Sequence, residues 1–248
     1  AHGTGTGKTV SAIAAFEQLK GEGKAKRALV IVPAGLRDNF LNKGIKKFTD
    51  SKGVVVKKPS EVGQDVEYVV TSYTAFRQNP TGFIDTYKPD TIIADEFHRA
   101  SNPGGKTHKA LMEARKQVPR FIGLTASIVQ NDPSDIVPLM NIANRGEDTK
   151  KEFKQKYVRK QKVRNERGVF GGKNVYTRRI IRQDDLVKKL GTTIHYIEDL
   201  DADKKPVKDV QTVPVDMTDQ QKKVYDLSMK GIDPKIRAKI AAGEPVSQ

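Results

Sequence analysis

Gly3-Thr4-Gly5-Thr6-Gly7-Lys8-Thr9 runs directly into Val10-Ser11-Ala12-Ile13-Ala14-Ala15-Phe16, and this stretch decides the fold. Closely spaced glycines let a backbone turn tightly enough to aim several N–H groups at phosphate oxygens. A lysine after the last glycine reaches the outer phosphates, and the next hydroxyl holds Mg²⁺. The helix that follows adds the positive end of its dipole to the anion site. Gly3, Thr4, Gly5, Thr6, Gly7, Lys8 and Thr9 are therefore the expected phosphate-binding set, with Lys8 also acting on the reacting phosphate and Thr9 on the metal. His2 stands where the common pattern has a further glycine. A phosphate loop ordinarily follows a strand, so a strand upstream of residue 1 is expected.

A partner for the loop lies about ninety residues on. Thr91-Ile92-Ile93-Ala94 is short, apolar and β-branched, which reads as a buried strand. It ends in Asp95-Glu96-Phe97-His98. A carboxylate at the C-terminal tip of a central parallel strand faces the ligand crevice of an open α/β sheet. In that setting Asp95 serves the metal and Glu96 orients and activates the attacking water. An isolated acidic pair ending a strand is commonplace; the order and local context of the two motifs favour the catalytic reading.

Around this pair the chain alternates strands and helices. The pattern predicts a helix from the loop to about residue 20, a strand at 28–32 stopped by Pro33, and a helix over 37–48. Strands follow at 54–56 and 67–71, then the carboxylate strand, a helix over 106–117 and a strand over 120–125. Short buried strands separated by helices imply a doubly wound parallel sheet. Residues 1–145 form this α/β domain. Residues 146–182 read as a basic insertion, helical around 152–162 with a hairpin or loop after it and a strand at 174–181. Residues 183–248 complete the domain and lead onward, with an edge strand at 210–215 and a helix opened by Thr218 with Gln221 three residues later.

The 248 residues carry a net charge of +15, and +9 of it falls between Gly146 and Arg182, where thirteen Lys/Arg meet four Asp/Glu. Either a solvated charged face or a polyanion-binding face accounts for that density. The nucleotide motifs tip the balance to nucleic acid, with Lys150, Lys151, Lys154 and Lys156 as the nominated contacts. There is no cysteine, which excludes disulfides, thiol catalysis and zinc–thiolate sites. The four histidines are scattered and suggest no metal cluster. No apolar run is long enough to cross a membrane.

The motifs resemble those of superfamily-2 nucleic-acid ATPases, and most closely the first motor lobe of the Swi/Snf-type DNA translocases. His2 to Thr9 resembles motif I. Leu29-Val30-Ile31-Val32-Pro33-Ala34-Gly35-Leu36, with Asn39-Phe40 beyond it, is similar to motif Ia, and Thr71-Ser72-Tyr73 to motif Ib. Asp95-Glu96-Phe97-His98-Arg99 resembles motif II. Leu124-Thr125-Ala126-Ser127-Ile128-Val129-Gln130-Asn131 resembles motif III, with Ser127 in place of the family's proline and one residue more before Gln130. Arg178-Arg179 and the 213–226 stretch extend the likeness beyond the insertion.

The resemblance implies a RecA-like lobe that binds ATP and Mg²⁺ and hydrolyses ATP as it moves on DNA, double-stranded in this family. It implies a second RecA-like lobe in the intact protein and coupling of motif II to motif III through His98, Thr125, Ser127 and Asn131. It also implies DNA contacts from Pro33, Ala34, Arg37, Ser72 and Tyr73. Taken alone, Ser72 and Tyr73 fit ordinary strand-end capping equally well. A strand-separating helicase, a restriction-system motor and a nucleotide-gated DNA-binding module remain open beside the translocase. The composition suits a cytoplasmic bacterial or phage protein, or a nuclear one if eukaryotic.

Overall fold

The computed structural model describes residues 7–63, 65–129, 132–163, 175–191, 193–194, 216–234, 236 and 238. Five strands, β1 (Ala28–Val32), β2 (Gly53–Val55), β3 (Tyr68–Ser72), β4 (Thr91–Ala94) and β5 (Arg120–Gly123), form one sheet in the order β2-β3-β1-β4-β5. All four pairings are parallel. β1 aligns Ala28 with Tyr68 on one side and with Thr91 on the other. From β1 the chain skips one place to β2 at the edge, returns to fill that place with β3, and then crosses to β4 and β5 on the other side of β1, so the order reverses between β1 and β4. Ligand crevices form at the carboxyl ends of strands at such a reversal.

The reason for burial on both faces is visible in β1. Ala28, Val30 and Val32 point into a core with Ala12, Ile13 and Phe16 of α1 (Lys8–Gly21) and with Phe40, Leu41 and Ile45. Leu29 and Ile31 point into the opposite core, with Phe76 of α4 (Tyr73–Gln78), Phe83 and Ile84 of α5 (Pro80–Tyr87) and Leu111 of α6 (Lys106–Gln117). Alternation with period two, apolar on both phases, gives a strand covered on two sides. Phe16 and Tyr68 meet edge-on, with ring centres 4.9 Å apart.

The helix expected over 37–48 is continuous but irregular. It runs as α2 (Arg37–Asn39), a π-helical stretch Phe40–Ile45, and α3 (Lys46–Phe48). Gly44 sits in the π stretch against α1: a Cβ there would lie 3.1 Å from Ile13 Cδ1 and 3.3 Å from Thr9 Cγ2. The missing side chain lets this segment close on the turn that carries Thr9.

Two helices on the far face, α4 and α5, were not expected. The signals are present: Ser72 accepts from Ala75 N at 3.1 Å, and Asn79 from Gly82 N at 2.9 Å just before Pro80. α7 (Ile136–Asn144) was also unforeseen; Asp132 and Asp135 form a reciprocal cap just ahead of it.

In the basic insertion, α8 (Lys150–Tyr157) ends earlier than the expected 162. Val158 turns the chain into β6 (Val158–Val163), which pairs antiparallel with β7 (Val175–Ile180). The run Val-Arg-Lys-Gln-Lys-Val has no apolar stripe at helical spacing, and its β-branched ends suit extended backbone. Thr149 and Glu152 close a capping box that marks the start of α8. Phe153 and Tyr157 of α8 pack on Ile136, Val137 and Met140 of α7 and on Leu186 of α9 (Gln183–Gly191), so the insertion has its own apolar anchor. The expected strand at 210–215 lies outside the described residues. Residues 203–248 separate as a second unit, in which α10 (Asp219–Lys230) begins as expected, with Thr218 Oγ1 and Gln221 reciprocally bonded.

Two substitutions test this packing. Gly44→Val should lower unfolding free energy by about 1–3 kcal/mol through overpacking against α1. The Thr71 hydroxyl is fully buried with no hydrogen-bond partner among the described residues. Thr71→Val should therefore raise stability by about 1 kcal/mol, since an unsatisfied buried hydroxyl costs on that order. Urea denaturation reads both.

Candidate nucleotide and nucleic-acid site

The site lies along the C-terminal edge of the parallel sheet. Gly7 caps α1 with φ 81° and ψ 21°, a left-handed conformation open to glycine at little cost. The first turn of α1 then presents Lys8 and Thr9, and Ser11 N–H closes back on Gly7 O at 2.9 Å. Gly3, Thr4, Gly5 and Thr6 lie outside the described residues, as does Asn131.

Asp95 follows β4 directly. Its N–H donates to Ile31 O at 2.9 Å, while Leu124 N–H donates to Ala94 O at 2.8 Å. The carboxylate is thus fixed by the strands on both sides. Thr9 and Asp95 line one cavity of about 230 Å³, together with Asn39, Lys43 and Gly44. A hydroxyl and a carboxylate oxygen are the hard donors Mg²⁺ takes, so the pair fits that ion. Lys43 was not nominated from the sequence; nothing in its local context marks it, and only the return of the helical segment onto α1 brings it here.

Burial raises the Asp95 pKa, and the charge of Glu96 pushes the same way. The Glu96 N–H, Lys8 and His98 oppose it without cancelling it. The Glu96 N–H reaches Asp95 Oδ1 at 3.0 Å. The site therefore holds a carboxylate whose ionised form lacks full compensation from the protein, which is the electrostatic condition for capturing a cation.

Glu96 departs from the strand with φ 51° and ψ 47°. A left-handed non-glycine residue costs of order 1–3 kcal/mol and persists only when its surroundings fix it. They do here. Phe97 N–H donates to Leu124 O at 2.7 Å, and the Phe97 and Phe121 rings pack with centres 4.8 Å apart. The turn aims Glu96 Oε2 at His98 Nδ1, 3.2 Å away. The same nitrogen lies 3.2 Å from Thr125 Oγ1. Thr125 Oγ1 in turn accepts from Ser127 N and donates to Ser127 O, each at 3.1 Å. Glu96, His98, Thr125 and Ser127 are thus one connected polar chain, running from part-exposed Glu96 through buried Thr125 to exposed Ser127.

The expected nucleic-acid residues divide. Pro33 and Ala34 follow β1 on the same edge, part-exposed and exposed respectively. Arg37 folds back, donating from Nε to Ala34 O at 3.0 Å. Ser72 and Tyr73 are each only 5% exposed. The Ser72 hydroxyl caps α4, and the Tyr73 hydroxyl donates to Asp95 O at 2.6 Å, with burial raising its pKa. Both hydroxyls serve the protein interior, so capping, the plainer of the two readings, describes Ser72. Tyr73 is a brace beneath the carboxylate turn.

Three of the four nominated lysines have carboxylates beside them. Lys150 pairs with Asp135 at 2.7 Å, Lys154 with Asp132 at 3.3 Å and Lys156 with Asp185 at 3.1 Å. Burial acts to raise the Asp132 pKa, but the Ser134 hydroxyl and N–H and Lys154 outweigh it and hold it at about 2. Each of these three lysines has a carboxylate beside it while its side chain stays part-exposed. Lys151 is exposed.

A cavity of about 560 Å³ follows the outer side of β5, between Lys8, Ala12 and Ala15 of α1 and Leu139, Met140 and Ala143 of α7. Among the described residues β5 has a strand neighbour on one side only.

Comparison with known proteins places this geometry. A family model described as the SNF2-related domain matches residues 1–244. The uncharacterized ATP-dependent helicase YqhH of Bacillus subtilis is 28% identical over 159 residues, 63% of this chain and 28% of that protein. The ATP-dependent DNA helicase DDM1 of Arabidopsis thaliana is 27% identical over 151 residues, 55% of this chain and 19% of the other. The chain therefore spans less than a third of each of these relatives. The SWI2/SNF2 ATPase core of Sulfolobus solfataricus, solved in complex with dsDNA, shares the fold with a TM-score of 0.61 at 23% identity, covering 80% of this chain and 39% of that one.

Asp95→Asn separates electrostatics from packing. A carboxyl whose folded pKa is raised adds stability fully below its unfolded pKa, and that contribution is lost as pH rises through the folded value. At neutral pH the wild type carries the cost of the ionised group. The variant should therefore be at least as stable at pH 7, with its advantage vanishing as pH falls below the ordinary aspartate range. Thermal melts across pH 3–8 check this.

Proposed function

The chain belongs to the SNF2-related domain family, and from that premise we propose that it is the first RecA-like lobe of an ATP-driven motor that moves on duplex DNA. The observation that carries the reading is the meeting of Thr9 and Asp95 on one cavity, with Glu96 next to it and tied through His98 to Thr125.

Each residue has a role that its geometry supports. Lys8 and the N-terminus of α1 attract the phosphates and offset their charge. Thr9 and Asp95 hold Mg²⁺, which neutralises charge on the transferring phosphoryl group when bound. Glu96 accepts the proton of the attacking water. His98, 3.2 Å from Glu96 and from Thr125, keeps that carboxylate turned toward its task. A shift of the Thr125–Ser127 turn reaches Glu96 through one histidine, which makes this chain of contacts a route by which DNA engagement changes the hydrolysis step.

The lobe reading rests on two further points. The groove beside β5 suits a strand entering the phosphate loop from upstream. Transition-state charge in such motors is balanced by arginines from a second lobe. On this reading the 248 residues alone bind ATP weakly and turn it over very slowly.

Steady-state ATP hydrolysis by the intact protein, measured with no nucleic acid, single-stranded DNA, duplex DNA and RNA, tests the proposal. Stimulation chiefly by duplex DNA is expected. Stimulation by single strands or RNA would instead indicate a strand-separating helicase. Glu96→Gln should lower turnover by about 10²–10⁴ while nucleotide binding persists. ATP-dependent DNA affinity with no turnover in the wild type would indicate a binding switch. His98→Ala should lower the DNA-stimulated rate more than the basal one.

A further inference from the structure

The positive charge of the 146–182 segment is not spent evenly. Three of the four lysines of its helix meet carboxylates, as described, and Lys189 of α9, beyond the segment, makes a similar pair with Asp148 at 2.6 Å. The hairpin does not follow this rule. β6 and β7 place Arg159 directly opposite Arg179, and the next rung places Lys160 opposite Arg178. Like charges facing each other across an antiparallel ladder are destabilising.

Arg159 and Arg179 are exposed, and neither has a carboxylate partner among the described residues. They line a concavity of about 610 Å³ with Arg182, Gln183 and Asp184. Arg182 leans 3.7 Å from Asp185, a carboxylate that Lys156 also contacts. Asp184 is therefore the one carboxylate in the lining, facing three guanidinium groups. The rungs cannot slide apart to relieve the repulsion. Val158 and Ile180, the pair adjacent to Arg159 and Arg179, pack against the apolar cluster of α7, α8 and α9.

We infer that the Arg159–Arg179 rung is a binding site for the phosphate backbone of nucleic acid, separate from the sheet edge that holds the nucleotide. The inference rests on the DNA reading proposed above. Guanidinium groups suit it: each presents paired N–H donors in a fork that matches phosphate oxygens. A polyanion removes the like-charge repulsion that the ladder register imposes. The contact is to phosphate, so it adds affinity and position without base specificity.

The test is the salt dependence of binding by the intact protein to a labelled 30-base-pair duplex of mixed sequence, read by fluorescence anisotropy. Arg159→Gln/Arg179→Gln should reduce the slope of log K against log salt by about 1.8, two phosphate contacts at about 0.9 each. Retained binding of a fluorescent ATP analogue shows that the fold is intact. Lys156→Gln, which removes a cation already matched to Asp185, should leave the slope as in the wild type. An unchanged slope in the double variant, or an equal drop in the lysine variant, overturns the site. So does a double variant that loses only its binding to phosphatidylserine vesicles. A wild type that binds no DNA at all overturns the proposed function, and the site with it.

Discussion

The parallel register of β1 with both β3 and β4 is the constraint on which the site depends. Ala28 aligned with Tyr68 and Thr91 brings the ends of three strands to one edge. Everything chemical then hangs from those ends: Pro33 after β1, Ser72 at the end of β3 with Tyr73 after it, Asp95 and Glu96 after β4. A slip of one residue in β4 would turn Ile92 toward the wrong core and carry Asp95 away from Thr9. The apolar alternation that buries both faces of β1 is thus also what aims the carboxylate.

The edge is held under tension that the surrounding packing sustains. Asp95 is desolvated, Glu96 is left-handed, and the Tyr73 hydroxyl is spent on the Asp95 carbonyl rather than on solvent. The desolvated carboxylate and the left-handed backbone cost stability in the free protein, and the Tyr73 hydrogen bond helps hold them. Their concentration within a few residues of one strand end is the pattern expected where structure is kept for chemistry. The Phe97–Phe121 contact and the Leu124 carbonyl hold that turn in place, which explains why an apolar residue interrupts the Asp-Glu-x-His run.

The basic segment shows why charge density alone is a poor guide to a binding face. Composition put +9 on 37 residues. The fold then divides those charges into cations matched by Asp132, Asp135 and Asp185 and cations forced together across a ladder. Only packing distance distinguishes the two groups, since lysines and arginines of both kinds are interleaved with polar residues along the chain.

The sequence by itself determined the phosphate loop, the carboxylate strand and the alternation of β and α. These rest on local rules: glycine conformational freedom, strand and helix periodicity, and residue order at strand ends. The coupling of His98 to Thr125 was implied only by the family resemblance of the two motifs; in the structure His98 Nδ1 lies 3.2 Å from Thr125 Oγ1. Helices α4, α5 and α7 had cap signals that were readable but weak beside the motifs they flank. Tertiary structure alone decided that Tyr73 braces Asp95 from below, that Gly44 and Lys43 arrive beside Thr9, and which cations have a carboxylate beside them. Each of these joins residues far apart in sequence, and their meeting is set by how helices settle on a twisted sheet, a consequence of three-dimensional packing that no local periodicity encodes.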